Sequence, residues 1–256
     1  MELIFIGTSS GKTETERNHS SILLRNSSKA VLIDCGDGIS RALLQNKIPF
    51  NSIHSIIITH LHADHFTGLA GLITQMKMYD RKEQLNIYIH TNLVTPLRNF
   101  IHTCYLFEEA LGFSLNLTAI SEEQPFEPAE GIKVSAAKNS HIKNKYNVTY
   151  YPQELFISLS LLIEHGNGKI FYTSDIGSKD DLYLFNNVKI NTLITEAAHV
   201  DFSEIYAVYI KRKPDTVYLT HYDEETKNIL RHEIDKPDGK ISDIFKIAFD
   251  SLLLKL

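Results

Sequence analysis

"IIITHLHADHFTGL" occupies residues 56–69, and its reading decides the fold. An apolar run that ends in His60, His62, Asp64 and His65 is a buried strand delivering four titratable side chains to one place. Packing alone gives a chain no reason to do this. Residues two apart on an extended segment face the same way, so His60 and His62 grip one ion from one side. Asp64 and His65 follow in the turn and aim at a second ion. Neutral imidazole with carboxylate suits zinc, and also manganese or iron. A carboxylate beside such a pair is placed to take a proton from water that coordination has acidified, which makes Asp64 a candidate catalytic base.

One cluster cannot complete two ions, so further ligands are expected at other strand ends. "NSH" closes a β-type run at His141, "YTSD" closes another at Asp175, and "YLTH" a third at His221. Each could be an ordinary loop residue taken singly. Repetition of the pattern at four strand ends argues for one shared site.

Outward from the cluster, the 256 residues show no repeat, low-complexity tract or Ser/Gly linker, and one domain is expected over 1–256. "LIFIG", "SILLRN", "AVLIDCG", "SIHSIIITH" and "LNIYIHT" read as strands, as do "GIKVSAAKNSH", "INTLITEAA" and "DTVYLTH". "LFISLSLLIEHGNGKIFYTSD" reads as a hairpin turning at "HGNG", and "FKIAFDSLLLKL" as a closing strand. "ISRALLQNKI", "FTGLAGLITQMKMYDRK", "DFSEIYAVYIKRK" and "DEETKNILRHEI" carry helical spacing. "LVTPLRNFIHTCYLFEEAL" does too, with Pro96 suited to its first turn. Strand runs followed by helices, twice over, predict an α/β chain with two sheets face to face and helices outside.

Composition excludes several classes. The chain is 43 % hydrophobic and 22 % charged, with a net charge of −5. "KRK" at 211–213 is the one compact basic run and reads as a solvated helix end, so a polyanion partner is not advertised. No apolar stretch approaches the roughly 20 residues that span a bilayer. The opening "MELIFIGTSS" carries no basic leader pattern. Cys35 and Cys104 are too few for a disulfide framework, so a reducing cytoplasm is expected.

The motif "THLHADH" resembles the signature of the metallo-β-lactamase superfamily, with His141, Asp175 and His221 in that family's order. "FIGTSSG", "ERNHSS", "LIDCGDG", "YTSDIG", "TEAAH" and "YLTHYDEE" are similar to its ribonuclease Z-like phosphodiesterase branch, over nearly the whole chain. The resemblance implies an αβ/βα four-layer sandwich of two mixed sheets, with two zinc ions at one edge (manganese or iron being alternatives). It implies that His60, His62 and His141 hold one ion, that Asp64, His65 and His221 hold the other, and that Asp175 bridges them. It also implies that His199, paired with Glu196, protonates the leaving oxygen, as a phosphodiester cleavage requires. The family's usual Gly-His-Ser-Thr wording is absent here, where the chain reads "EAAHV".

Substrate expectations follow from the same resemblance. Enzymes that cut precursor transfer RNA commonly carry a long basic or Gly/Pro-rich arm, and residues 142–174 offer no obvious place for one. Arm-less relatives include phosphonate-pathway phosphodiesterases and anti-Pycsar enzymes that open cyclic nucleotides, the latter dimeric. A small phosphodiester is therefore expected, a 3′,5′-cyclic mononucleotide first, with a homodimer as the assembly. Large RNA, a lactone or thioester, and nucleotide binding without turnover stand as alternatives. In "KNKYNVTYYP", Lys143 and Lys145 with Tyr146, Tyr150 and Tyr151 are suited to a phosphate and a base, or form an ordinary polar loop. His90 is a candidate pocket residue, His19 lies near the site by motif position, and His54, His102, His165 and His232 read as structural or surface residues.

Overall fold

The computed structural model describes residues 1–26, 29–122, 124–142, 150–236 and 240–256. Its strands, in chain order, are β1 (Glu2–Gly7), β2 (Ser21–Asn26), β3 (Lys29–Ile33), β4 (Ile53–Ile58), β5 (Leu85–His90) and β6 (Leu115–Ile120). There follow β7 (Phe126–Ala129), β8 (Ile132–Lys138), β9 (Leu159–His165), β10 (Gly168–Tyr172), β11 (Thr192–Glu196), β12 (Thr216–Thr220), β13 (Phe245–Ile247) and β14 (Leu253–Lys255). Among the described residues they make two seven-stranded sheets, ordered β14-β1-β2-β3-β4-β5-β6 and β13-β12-β11-β10-β9-β8-β7. Both are mixed: β3 to β6 run parallel, as do β10 to β13, and the remaining pairs are antiparallel.

Parallel neighbours need long crossovers, and helices supply them. The first sheet is connected by α1 (Ile39–Gln45), α2 (Ala63–Phe66), α3 (Leu69–Met78), α4 (Val94–Thr103) and α5 (Glu108–Leu111). The second uses α6 (Phe202–Arg212) and α7 (Glu224–Ile234). Asp223 caps α7 by accepting from the Thr226 amide at 2.9 Å, and Glu224 and Glu225 fill its first turn, where negative charge meets the positive end of the helix dipole.

Period-two burial explains the layering. Leu161, Ile163, Ile170, Tyr172 and Ile194 join the large core shared with the first sheet. Their neighbours Leu162, Phe171 and Leu193 face the other way into the core beneath α6 and α7. Covered on both faces, these strands carry consecutive apolar residues at their centres (161–163, 170–172 and 193–194), so they read as continuous runs. The expected αβ/βα four-layer sandwich is what forms.

The differences lie at edges and ends. Strands β6 and β7 carry no clear strand pattern in the sequence, because both are edge strands with half-exposed or broken patterns: Asn116 and Thr118 interrupt one and Pro128 the other. The helix expected over 66–82 is divided at Thr67–Gly68, and that over 93–111 ends at Thr103 before Tyr105 takes a left-handed φ of 58°. "FKIAFDSLLLKL" is two strands: β13 pairs with β12, then the chain crosses and β14 pairs with β1 in the opposite sheet. Arg212 in "KRK" is half-buried, donating to the carbonyls of Leu182, Leu184 and Phe185, so this helix end is docked as well as solvated. Cys35 is buried, Cys104 is exposed, and both are free thiols.

Gly36 lets the ligand turn sit down on the sheet. A Cβ there would stand 2.1 Å from the Asp64 carbonyl oxygen and 2.6 Å from Cβ of His19. Gly36→Ala is expected to cost about 1–3 kcal/mol by forcing that backbone away, read as a lower urea midpoint at unchanged slope. Gly71→Ala is the control: its Cβ would meet only Ser40 Oγ at 3.9 Å, and the gain in helix propensity should leave stability equal or higher.

Candidate metal centre

Six strands end at one edge, and each brings a polar group. Asp34 follows β3, Thr59 to His65 follow β4, and Ser140 and His141 follow β8. Ser174 and Asp175 follow β10, Glu196 ends β11 and His221 follows β12. Asp34, Ser174 and His221 take left-handed φ values of 60°, 52° and 52°. A non-glycine residue adopts that region at a cost, and three such residues at one edge mark a place where side-chain direction outweighs backbone ease.

All seven side chains expected as ligands come together, in two groups. His60, His62, His141 and Asp175 form one, and Asp64, His65, Asp175 and His221 the other; within each, the ligand-type atoms all lie within 4.8 Å of one another. Asp175 belongs to both. Its Oδ2 is 3.1 Å from His221 Nε2, 3.5 Å from His141 Nε2 and 4.0 Å from His60 Nε2, while its Oδ1 is 3.3 Å from His65 Nε2. Asp64 Oδ2 lies 3.6 Å from His65 Nε2 and 3.8 Å from His221 Nε2. His62 Nδ1 and His141 Nε2 are 3.0 Å apart.

The donor set fits divalent cations. Nε2 of His60, Nε2 of His65 and Oδ1 of Asp175 are buried without a hydrogen-bond partner. Buried polar atoms in folded proteins are otherwise satisfied, so orphaned acceptors facing one another point to a cation between them. Burial holds His60 well below the ordinary imidazole range, and burial lowers His141 to about 4 against the opposing pull of Asp175, so both are neutral and ligand-competent. Burial opposes ionisation of Asp175 as well, but His221 and His65 overcome it and hold that carboxyl well below its usual range.

Carboxylates outside the two groups fix the directions. Asp34 Oδ2 takes Nδ1 of His65 at 2.8 Å, which leaves Nε2 turned to the centre. Asp181 accepts from the amides of Ser140, Gly177 and Ser178 and from Ser140 Oγ at 2.7 Å, tying the His141 turn to the Asp175 turn. None of these anchors was assigned a role from sequence, although Asp34 lies within the quoted "LIDCGDG".

Glu196 and His199 pair as expected. Glu196 is buried, and its Oε2 accepts the amides of Ala198 at 2.8 Å and His199 at 2.9 Å. Its Oε1 accepts the Ile176 amide at 3.0 Å and takes His199 Nδ1 at 2.9 Å. The imidazole, 43 % exposed, lies with its centroid 5.0 Å from that of His141 and 6.2 Å from that of His221. His199 therefore borders both groups with Nδ1 held by a carboxylate.

The other histidines divide. His90 accepts the Asn92 amide through Nδ1, capping the turn that follows β5, and approaches Glu122 at 3.5 Å through Nε2. His19 lies against Gly36, beside the Asp64 turn, with both ring nitrogens buried and unpartnered. Lys143, Lys145 and Tyr146 fall outside the described residues, and Tyr150 and Tyr151 are exposed.

Two mixed sheets flanked by helices, with this histidine and aspartate cluster at their common edge, define a metallo-β-lactamase fold protein of the ribonuclease Z-like branch. A family model described as Anti-Pycsar protein Apyc1 matches residues 1–237, and the chain belongs to that family. It is similar to ribonuclease Z of Natronomonas pharaonis, 32 % identical over 141 residues, which are 55 % of this chain and 44 % of that protein. The chain thus spans somewhat under half the length of such curated relatives. Among solved structures, the metallo-β-lactamase fold protein YhfI from Bacillus subtilis superposes with a TM-score of 0.78 at 18 % identity, over 99 % of this chain and 98 % of that one. The short form of human tRNase Z superposes at 0.73 with 20 % identity, over 100 % and 99 % of the two chains.

If the orphaned atoms are there for cations, removing the cations must cost stability. Chelation of zinc-loaded protein is expected to lower Tm by several degrees, and zinc in excess restores it, in keeping with roughly 3 kcal/mol at a hundredfold excess over Kd. Calorimetric scans with and without chelator measure this, and an unchanged Tm would contradict the fit.

Proposed function

We propose that this protein is a dinuclear metal-dependent phosphodiesterase acting on a small phosphodiester, with 3′,5′-cyclic mononucleotides as the preferred substrates. The observation that carries the reading is the Glu196–His199 pair set against both ligand groups. Expelling an unactivated alkoxide from phosphorus calls for a proton at the leaving oxygen, and an imidazole oriented by a carboxylate beside both ligand groups is placed to supply it.

His60, His62, His141 and Asp175 would hold one ion and Asp64, His65, His221 and Asp175 the other, zinc being the favoured metal. When bound, the ions supply Lewis-acid stabilisation of charge at phosphorus and lower the pKa of water. Asp64, whose side chain keeps 12 % exposure at the site, takes the proton released as water adds. The bond from phosphorus to the 3′ oxygen breaks, and His199 delivers a proton from Nε2 to that oxygen. Glu196 steadies the imidazolium through Nδ1. One proton is taken and one given, and the product is the open monoester.

Several features support a small substrate. The net charge is −5, and the described part of residues 142–174 is a short turn followed by the β9–β10 hairpin. The family match over residues 1–237 favours the same direction. A homodimer and a cytoplasmic setting belong to this reading; no helix among the described residues is long and apolar enough to cross a membrane. Ribonuclease Z-type cleavage of transfer RNA is the second reading, favoured by the identity shared with curated ribonuclease Z.

The test is a chromatographic assay of zinc- or manganese-loaded protein on bis-p-nitrophenyl phosphate, cyclic mononucleotides, cyclic dinucleotides and a 3′-extended transfer RNA. Cyclic mononucleotide hydrolysis is expected, abolished in Asp64→Ala and His62→Ala. His199→Ala should lose about 10²–10⁴ in kcat on cyclic nucleotides and far less on bis-p-nitrophenyl phosphate, whose nitrophenolate leaves without a proton. Transfer RNA cleavage alone would establish the second reading. Inactivity on every phosphodiester, with lactone or thioester turnover, would overturn both.

A further inference from the structure

Thr59 stands between the end of β4 and His60, and its side chain is fully buried. Its single hydroxyl meets three neighbours. Oδ1 and Oδ2 of Asp34 lie at 3.0 and 2.8 Å, Nδ1 of His60 at 3.1 Å and Oγ of Ser174 at 2.9 Å. A hydroxyl owns one proton and two lone pairs. An ionised carboxylate only accepts, so the Thr59 proton goes to Asp34. Ser174 donates into one lone pair. The remaining lone pair faces His60, so Nδ1 of His60 is the donor.

This count leaves one tautomer. His60 carries its proton on Nδ1, and the lone pair sits on Nε2, the buried atom without a hydrogen-bond partner that faces Asp175 at 4.0 Å. Asp34 imposes the same tautomer on His65 directly, taking Nδ1 at 2.8 Å. It also accepts the Thr59 amide at 2.8 Å, so one carboxylate grips both the backbone and the hydroxyl of Thr59. The hydroxyl and its two oxygen partners come from different strands: Asp34 follows β3, Thr59 follows β4, and Ser174 follows β10 in the opposite sheet.

We propose that Thr59 is a positioning residue that sets the tautomer of His60 and, through Asp34 and Ser174, joins one ligand of each group to both sheets. The inference rests on the metal-centre reading of the site, and it assigns a task to a residue that touches neither substrate nor ion. A buried threonine that merely filled space would be replaced by valine at little cost, because the two have nearly the same shape.

Two measurements test it. In wild-type protein labelled with ¹⁵N-histidine, long-range ¹H–¹⁵N correlation is expected to show His60 protonated on Nδ1, and protonation on Nε2 would overturn the proposal. This needs no variant and stands whether or not Thr59→Val folds. Zinc affinity by chelator competition is then expected to fall about 10–100-fold in Thr59→Val while Thr59→Ser stays within about threefold of wild type. Equal affinity in Thr59→Val and Thr59→Ser would overturn it. A wild-type protein that takes up no zinc would instead defeat the metal-centre reading, with the His60 tautomer still answering for Thr59.

Discussion

Buried lone pairs aimed at one another are the constraint on which this architecture turns. His60 Nε2, His65 Nε2 and Asp175 Oδ1 are removed from water and given no donor. Each such atom costs about 1–3 kcal/mol unless something answers it. Holding them in place demands that strand ends from two separate sheets arrive at the same edge, and that Asp34, Ser174 and His221 accept left-handed backbone to turn their side chains inward. The continuous apolar faces of β9, β10 and β11 supply the burial that offsets this arrangement.

The acidic residues of the site fall into two kinds, and hydrogen-bond saturation separates them. Asp34, Asp181 and Glu196 are filled by amides, hydroxyls or imidazole Nδ1 groups, and serve as anchors for neighbouring turns. Asp175 has its Oδ1 unmatched, and Asp64 Oδ2 faces imidazole nitrogens at 3.6 and 3.8 Å. The anchors spend their lone pairs on the scaffold. The other two keep theirs for chemistry. Glu196 stands between the two kinds, because Oε1 holds both the amide next to Asp175 and the imidazole of His199, so one carboxylate oxygen anchors His199 and the Asp175 turn together.

Much of this was legible in the chain. "THLHADH" combined a buried strand with a ligand turn in seven residues, and "NSH", "YTSD" and "YLTH" repeated the plan at other strand ends. Strands buried on both faces were readable because their centres are consecutive apolar residues. What escaped was whatever depends on distant partners. β6 and β7 are half-wet edges with no strong pattern, and the division of "FKIAFDSLLLKL" between two sheets is fixed by pairing with residues far back in the chain. Thr59 and Asp181 looked like ordinary polar residues, since a hydrogen bond to a turn 115 or 41 positions away leaves no local signature. Arg212 looked solvated for the same reason, its carbonyl partners lying 27 to 30 positions earlier.

The pairing of β14 with β1 carries a consequence for the order of assembly. Leu3 lies opposite Leu254, and the amide of Leu256 reaches the Met1 carbonyl at 2.9 Å, so the two ends of the sequence are neighbours in one sheet. During synthesis β1 emerges well before β14, and the edge they share stays open until the strands between them have followed. An open strand edge is a template for unwanted partners, and contacts so remote in sequence form slowly. The hazard of misassembly thus falls on a growing chain whose histidine and aspartate cluster is already out, while the strand that covers β1 is still to come.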